Sequence, residues 1–102
     1  MEKKYVLVFD EVITKQLKKA AKDIHIKNIL KNMLNKLELL GPYAGQLLDS
    51  HLQLHEVKNK QPPIRLYYKY NKNNEEIYVF EYEMKTSPKK QKKTISRIRL
   101  KA

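Results

Sequence analysis

The apolar residues of this 102-residue chain change their spacing once, at Gly41-Pro42, and that change limits the folds open to it. Before it, Val12, Ile13, Leu17, Ala20, Ala21 and Ile24 recur at helical intervals, with Asp10 placed to cap the first turn. Ile26, Ile29, Leu30, Met33, Leu34, Leu37 and Leu40 form a second stripe, with Lys27, Lys31 and Lys36 opposite. A bend at Asp23 to His25 makes these an α-hairpin; the alternative is one kinked helix. Gly41 suits a left-handed cap and Pro42 cannot continue the helix, so the second stripe ends there.

Beyond that point the period is two. His51 to Lys58 puts Leu52 and Leu54 on one face and His51, Gln53 and His55 on the other. Pro63 to Tyr70 alternates Ile64, Leu66, Tyr68 and Tyr70 against Arg65, Tyr67 and Lys69. Asn71 to Glu75 reads as a turn, and Glu76 to Met84 as the returning strand of a hairpin. An earlier run, Lys4 to Phe9, reads as a strand covered on both faces. Thr86 or Ser87 can cap a last helix with Pro88 at its first position. Its apolar residues are only Ile95, Ile98 and Leu100, enough for light docking. The expected fold is α+β in the order β-α-α-β-β-β-α. It is an antiparallel sheet with an N-terminal α-hairpin on one face and a short basic C-terminal helix. It forms a single domain over residues 1–102.

Composition narrows the function. A chain of this size supports one core. No apolar run approaches the roughly 18 residues of a membrane span, and the apolar stretch near the N-terminus is too short for a signal peptide. The expectation is therefore a cytoplasmic protein without a membrane partner. Cysteine is absent, which excludes disulfides, thiolate catalysis and Cys-based zinc sites. Charge is uneven: 22 Lys and Arg face 11 Asp and Glu, a net +11, and from Lys85 onward there are eight basic residues and no acidic one. Such a segment points to a polyanion, since each neutralised phosphate releases counterions. The alternative is a solvated lysine-rich tail.

Three groups of residues have chemistry to offer. Lys89 and Lys90, in the first turn of the last helix, oppose the helix dipole unless a phosphate sits there. Arg65, one of only three arginines, lies within a strand, where its fork can clamp a phosphate or pair with Glu56 or Glu81. His51 and His55 stand about 13 Å apart along a strand, too far to share a metal unaided. His55 or Glu56 can serve as a base for an RNA 2′-hydroxyl, or simply occupy a strand surface. Of the tyrosines, outward members such as Tyr67 can stack on bases, while half of the set should be core. No cofactor-binding loop and no metal-ligand spacing is present.

Four stretches then fall into a familiar order: Leu54-His55-Glu56-Val57, Ile64-Arg65-Leu66-Tyr67-Tyr68, Ile77 to Met84 followed by Lys85, and Ser87-Pro88-Lys89-Lys90. In this order the chain resembles the RelE/ParE toxin superfamily, nearest its RelE and HigB-like branch, over nearly its whole length. The resemblance implies a type II toxin that enters the ribosome and cuts mRNA without a metal or other cofactor. The 2′-hydroxyl attacks the adjacent phosphate, leaving a cyclic phosphate and a 5′-hydroxyl. It implies that Arg65 contacts the scissile phosphate, that Lys85 is a second cation and that Glu56 or Lys58 supplies a base or cation. Lys58, Lys89, Lys90, Lys93 and Arg97 are expected to bind RNA, and the partners are an acidic antitoxin, the ribosome and mRNA or ribosomal RNA. The chain also departs from the pattern. His55 stands where an aromatic residue is usual, and Gln91 and its neighbours offer no Tyr or His. Tyr82 or His55 would then serve as acid or base, or the leaving group goes unassisted. The alternatives are a ParE-like gyrase inhibitor and a catalytically inert, basic nucleic-acid-binding homologue.

Overall fold

The structure, a computed structural model, describes residues 5–85 and 87–102. Lys4, expected to open the first strand, and Thr86, one of two expected caps, lie outside the described residues. β1 (Val6–Phe9) leads into α1 (Glu11–Ala20) and α2 (Ile24–Leu40), then a 3-10 turn (Gly41–Tyr43). β2 (Gln46–Asp49), β3 (Leu54–Asn59), β4 (Ile64–Asn71), β5 (Glu76–Met84) and α3 (Pro88–Lys101) follow. The strands make one sheet in the order β1-β5-β4-β3-β2. No helix among the described residues is long and apolar enough to cross a membrane.

Local chemistry sets the helix ends. The Asp10 carboxylate accepts from the Val12 amide at 3.0 Å, and Asp23 accepts from the amides of His25 and Ile26. Two caps make two helices, so the α-hairpin forms rather than one kinked helix. Gly41 closes α2 with a φ of 54°. The hairpin packs Ile13, Leu30, Met33 and Leu37 onto Leu66, Tyr68, Ile77 and Val79 of the sheet. Each such side chain stabilises the fold by roughly 1.5–3 kcal/mol. The opposite face carries a smaller cluster, in which Leu54, Tyr67 and Phe80 meet Ile98 of α3.

The α+β architecture is the expected one, with differences in the sheet. β2 is an additional strand, in a stretch without alternation that registers only through its pairing with β3. The sheet is mixed, because β1 runs parallel to β5 at the edge. β1 is not covered on both faces, since Val6 is 61% exposed. The strand expected from His51 begins at Leu54. Before it the chain turns, with Asp49 accepting from the Leu52 amide at 3.1 Å and Gln53 at a φ of 55°. One β-bulge lies opposite the Tyr67/Tyr68 step, where Tyr67 pairs with Glu81 but Tyr68 with Val79. The extra residue, Phe80, reverses the alternation of everything after it in β5.

Gly45 admits no side chain. A β-carbon there would lie 2.0 Å from the Glu56 carbonyl oxygen, a backbone atom unable to swing aside. Gly45→Ala is expected to cost about 1–3 kcal/mol and to lower the melting temperature while leaving the helical signal in circular dichroism intact. An unchanged melting temperature would show that β2 moves off β3 freely.

Candidate functional site

The bulge decides which acids face α3. With strict alternation Glu81 would share the face of Ile77 and Val79. Instead, Glu81 meets Arg97 of α3 at 2.7 Å, and Glu83 accepts from Tyr67 at 2.6 Å and from Thr94 at 2.7 Å. Arg99 pairs with Asp49 at 3.2 Å and Lys101 with Asp10 at 3.1 Å. Tyr78 donates to the same Asp10 at 2.8 Å. Burial opposes ionisation of Asp10, but the Val12 amide, Tyr78 and Lys101 together hold its carboxyl below the usual range. The last helix thus docks through polar contacts as well as through Ile95 and Ile98. Arg97 in particular is engaged rather than a free cation. Among the described residues no carboxylate pairs with Lys85, Lys89, Lys90, Lys92 or Lys93. The uncompensated charge therefore gathers at the start of α3.

That end of the helix adjoins a cleft of about 160 Å³ lined by Lys58, Lys60, Arg65 and Lys85, with Asn59, Pro63 and Ile64. The β3–β4 register sets Lys58 opposite Arg65. The Lys85 amide donates to the Pro63 carbonyl at 2.8 Å, extending the β4–β5 ladder and fixing Lys85 at the rim. Beneath the rim lies Glu56, only 3% exposed. Its carboxylate accepts from Arg65 at 3.1 Å and from Gln91 at 3.3 Å, and Lys58 stands 3.4 Å away. Glu56 and Arg65 therefore share a face. A carboxylate holding three partners fixes the arginine fork in place. Ser87 caps α3 by accepting from the Lys90 amide at 3.3 Å, which leaves Lys89 and Lys90 exposed in the first turn and Lys93 exposed beyond it.

The other expected acid–base residues stand elsewhere. His55 alternates with Glu56 and so faces the hairpin, buried, with its ring 5.1 Å from that of Tyr68 and nearly parallel to it. Its Nδ1 lies 3.0 Å from the Gln53 carbonyl. Tyr82, displaced to the same side by the bulge, packs against the hairpin core, its backbone held on both sides by Gln16. Neither lines the cleft. Tyr67 is buried too, so it does not stack on a base; burial, then Glu83, pushes its hydroxyl far up from 10.0. Among the described residues no three His, Asp or Glu side chains cluster to hold a metal ion. Two contributors escaped the sequence reading. Lys60 was visible only as part of a Lys-Asn-Lys run, and Gln91 gave no signal because its role is a contact 35 residues away in sequence.

His55 makes stability depend on pH. Burial depresses its pKa from 6.5, outweighing the Gln53 contact, which acts the other way. Above 6.5 the ring is neutral in both states and its contribution is fully present. As the pH falls below that value the unfolded chain binds the proton more readily, so stability declines until the lower folded value is passed. The melting temperature is expected to fall between about pH 7 and pH 5, and less steeply in His55→Phe. Equal slopes for the two proteins would remove His55 as the cause.

No protein-family model matches the sequence. No curated protein matches it either. Solved structures do. The crystal structure of the intact Escherichia coli RelBE toxin–antitoxin complex contains a chain that superposes with a TM-score of 0.67 at 22% identity, over 82% of this chain and 100% of that one. The chain has the RelE fold. Isolated E. coli RelE toxin gives a TM-score of 0.64 at 20% identity, over 93% of this chain and 99% of that one. The RelBE2 toxin–antitoxin complex of Mycobacterium tuberculosis gives 0.63 at 14%, over 84% of this chain and 100% of that one. On this RelE fold, the cationic cleft is built by β3, β4 and the end of β5, with α3 beside it.

Proposed function

We propose that the chain is the toxin of a type II toxin–antitoxin pair and cuts mRNA on the ribosome by metal-free attack of a 2′-hydroxyl on the neighbouring phosphate. One observation carries the reading: a cleft whose charged lining is entirely cationic, with its arginine braced from below by a buried glutamate. In this reaction the 2′-oxygen bonds to phosphorus, the phosphorus–5′-oxygen bond breaks, and a 2′,3′-cyclic phosphate and a 5′-hydroxyl remain. Arg65, Lys58 and Lys85 stabilise the charge that grows on the phosphorane oxygens. An ammonium among them supplies the proton for the leaving 5′-oxygen, and the attacking hydroxyl loses its own proton to water or to a neighbouring base. Glu56, already occupied by three partners, acts as a positioning residue for the arginine. Lys89, Lys90 and Lys93 extend the anion-binding surface along α3. An acidic antitoxin would cover the same charge, in keeping with the complexes in which chains of this fold occur.

The test is inducible expression followed by primer extension on a translated reporter mRNA and on the same mRNA without a start codon. Cuts confined to the translated message are expected. Growth arrest with intact mRNA would sink the nuclease reading in favour of gyrase inhibition, and unimpaired growth would sink both.

A further inference from the structure

A second cavity lies on the other side of Lys58 and Asn59 from the cleft. It is a groove of about 200 Å³, which shares those two residues with the cleft and adds Asn32 and Lys36 from α2. Ile29, Asn32, Met33 and Lys36 fall at helical spacing, so one face of α2 supplies a whole wall. The floor is apolar, made by Ile29, Met33 and Val57, and no carboxylate lines either cavity. Pairing with β2 stops at Gln46 and Glu56, so Lys58 and Asn59 at the end of β3 line both cavities.

We propose that this groove is a nucleotide subsite, which takes the base one step beyond the two that flank the cleaved bond and holds its phosphate with Lys36. The inference rests on the RNA reading above and extends it to a residue on the helical hairpin. An apolar floor suits the face of a base, and a polar rim suits its edge. Lys36 is exposed and pairs with no carboxylate among the described residues, so its charge is available to a phosphate. Asn59 adds selectivity. Its Nδ2 donates to the Pro62 carbonyl at 3.0 Å, and only the amide nitrogen can face a carbonyl. The oxygen is thereby left as the end that meets a ligand. Facing the major-groove edge of a base, it selects an exocyclic amine, which adenine and cytosine present there and uracil does not.

The experiment measures binding of uncleavable 2′-O-methyl RNA to the full chain by fluorescence anisotropy over a salt series. A dinucleotide, which reaches only the first cleft, is compared with hexamers of adenine, cytosine and uracil. Lys36→Ala is expected to weaken hexamer binding about threefold to tenfold and to reduce the salt slope by about 0.7, the share of one phosphate, with dinucleotide binding unchanged. Asn59→Ala is expected to erase a preference for the adenine and cytosine hexamers over uracil, with a thermal melt confirming that the variant is folded. Arg65-dependent dinucleotide binding together with wild-type hexamer binding by Lys36→Ala would overturn the subsite and leave the RNA reading standing. If the wild-type chain binds neither oligomer in a salt-dependent way, the subsite falls, and the RNA reading is decided by primer extension on the translated reporter. If Lys36→Ala weakens binding of a polyglutamate peptide but not of RNA, the groove docks a protein and the proposal is overturned.

Discussion

Arg65→Ala is expected to lower cleavage of translated mRNA about 10²–10³-fold, the loss seen when one donor to a developing oxyanion is removed. The arginine is the one cleft cation whose side chain is mostly buried, 15% exposed, and its fork is held at 3.1 Å by Glu56. Charge placed this rigidly needs no reorganisation as the phosphorane forms, whereas exposed Lys60 or Lys85 must first be drawn in. Arg65→Lys is the sharper companion. It keeps the charge and loses the two-point geometry, so it should recover only part of the activity. Primer extension and the growth curve of induced cells give both readings. Full toxicity of Arg65→Ala would remove this residue, and the cleft with it, from the reaction.

Glu56→Leu is expected to be the most destabilising change at the site. It leaves a largely buried guanidinium without its partner, a loss of about 3–5 kcal/mol for pairs of this kind. The figure belongs at the lower end, because the arginine retains some contact with water. A fall in melting temperature of roughly 10–20 °C follows for a domain of about 100 residues. Glu56→Gln separates the two roles open to the carboxylate. It retains an oxygen for Arg65 and loses the capacity to take a proton. A positioning residue predicts reduced activity with an unchanged pH profile; loss of the acidic limb of that profile would make Glu56 the base instead.

Much of the fold was legible in the residues. The 3.6-residue spacing of residues 12–40 showed helix ended by Gly41 and a bend near Asp23, and the Asp23 cap, which satisfies amides left free at a helix start, settled two helices over one kinked helix. The period of two in β4 puts Arg65 and Tyr67 on the face opposite Leu66 and Tyr68, as observed. β2 was not legible. Its four residues carry no alternation and gain strand geometry only from β3, which requires the bare backbone of Gly45 beside Glu56.

The candidate site divides in the same way. The residues themselves brought out Arg65 as a lone strand arginine, Glu56 as a strand carboxylate and Lys85 as the start of an acid-free tail, whereas Lys58 came only from the resemblance to the RelE/ParE superfamily. The sequence could not tell that three of the tail's eight cations, Arg97, Arg99 and Lys101, are bound to Glu81, Asp49 and Asp10. Nor could it place Tyr82. Local spacing is a property of neighbours in the chain, so helices, strands and their faces can be read from the residues. A single bulged residue in β5, by contrast, is set by what packs above and below the sheet. Phe80 moves the acids after it beneath α3 and turns Tyr82 away. Only the folded chain could decide this, because the preference of Glu81 for one face depends on Arg97, and Arg97 lies 16 residues away.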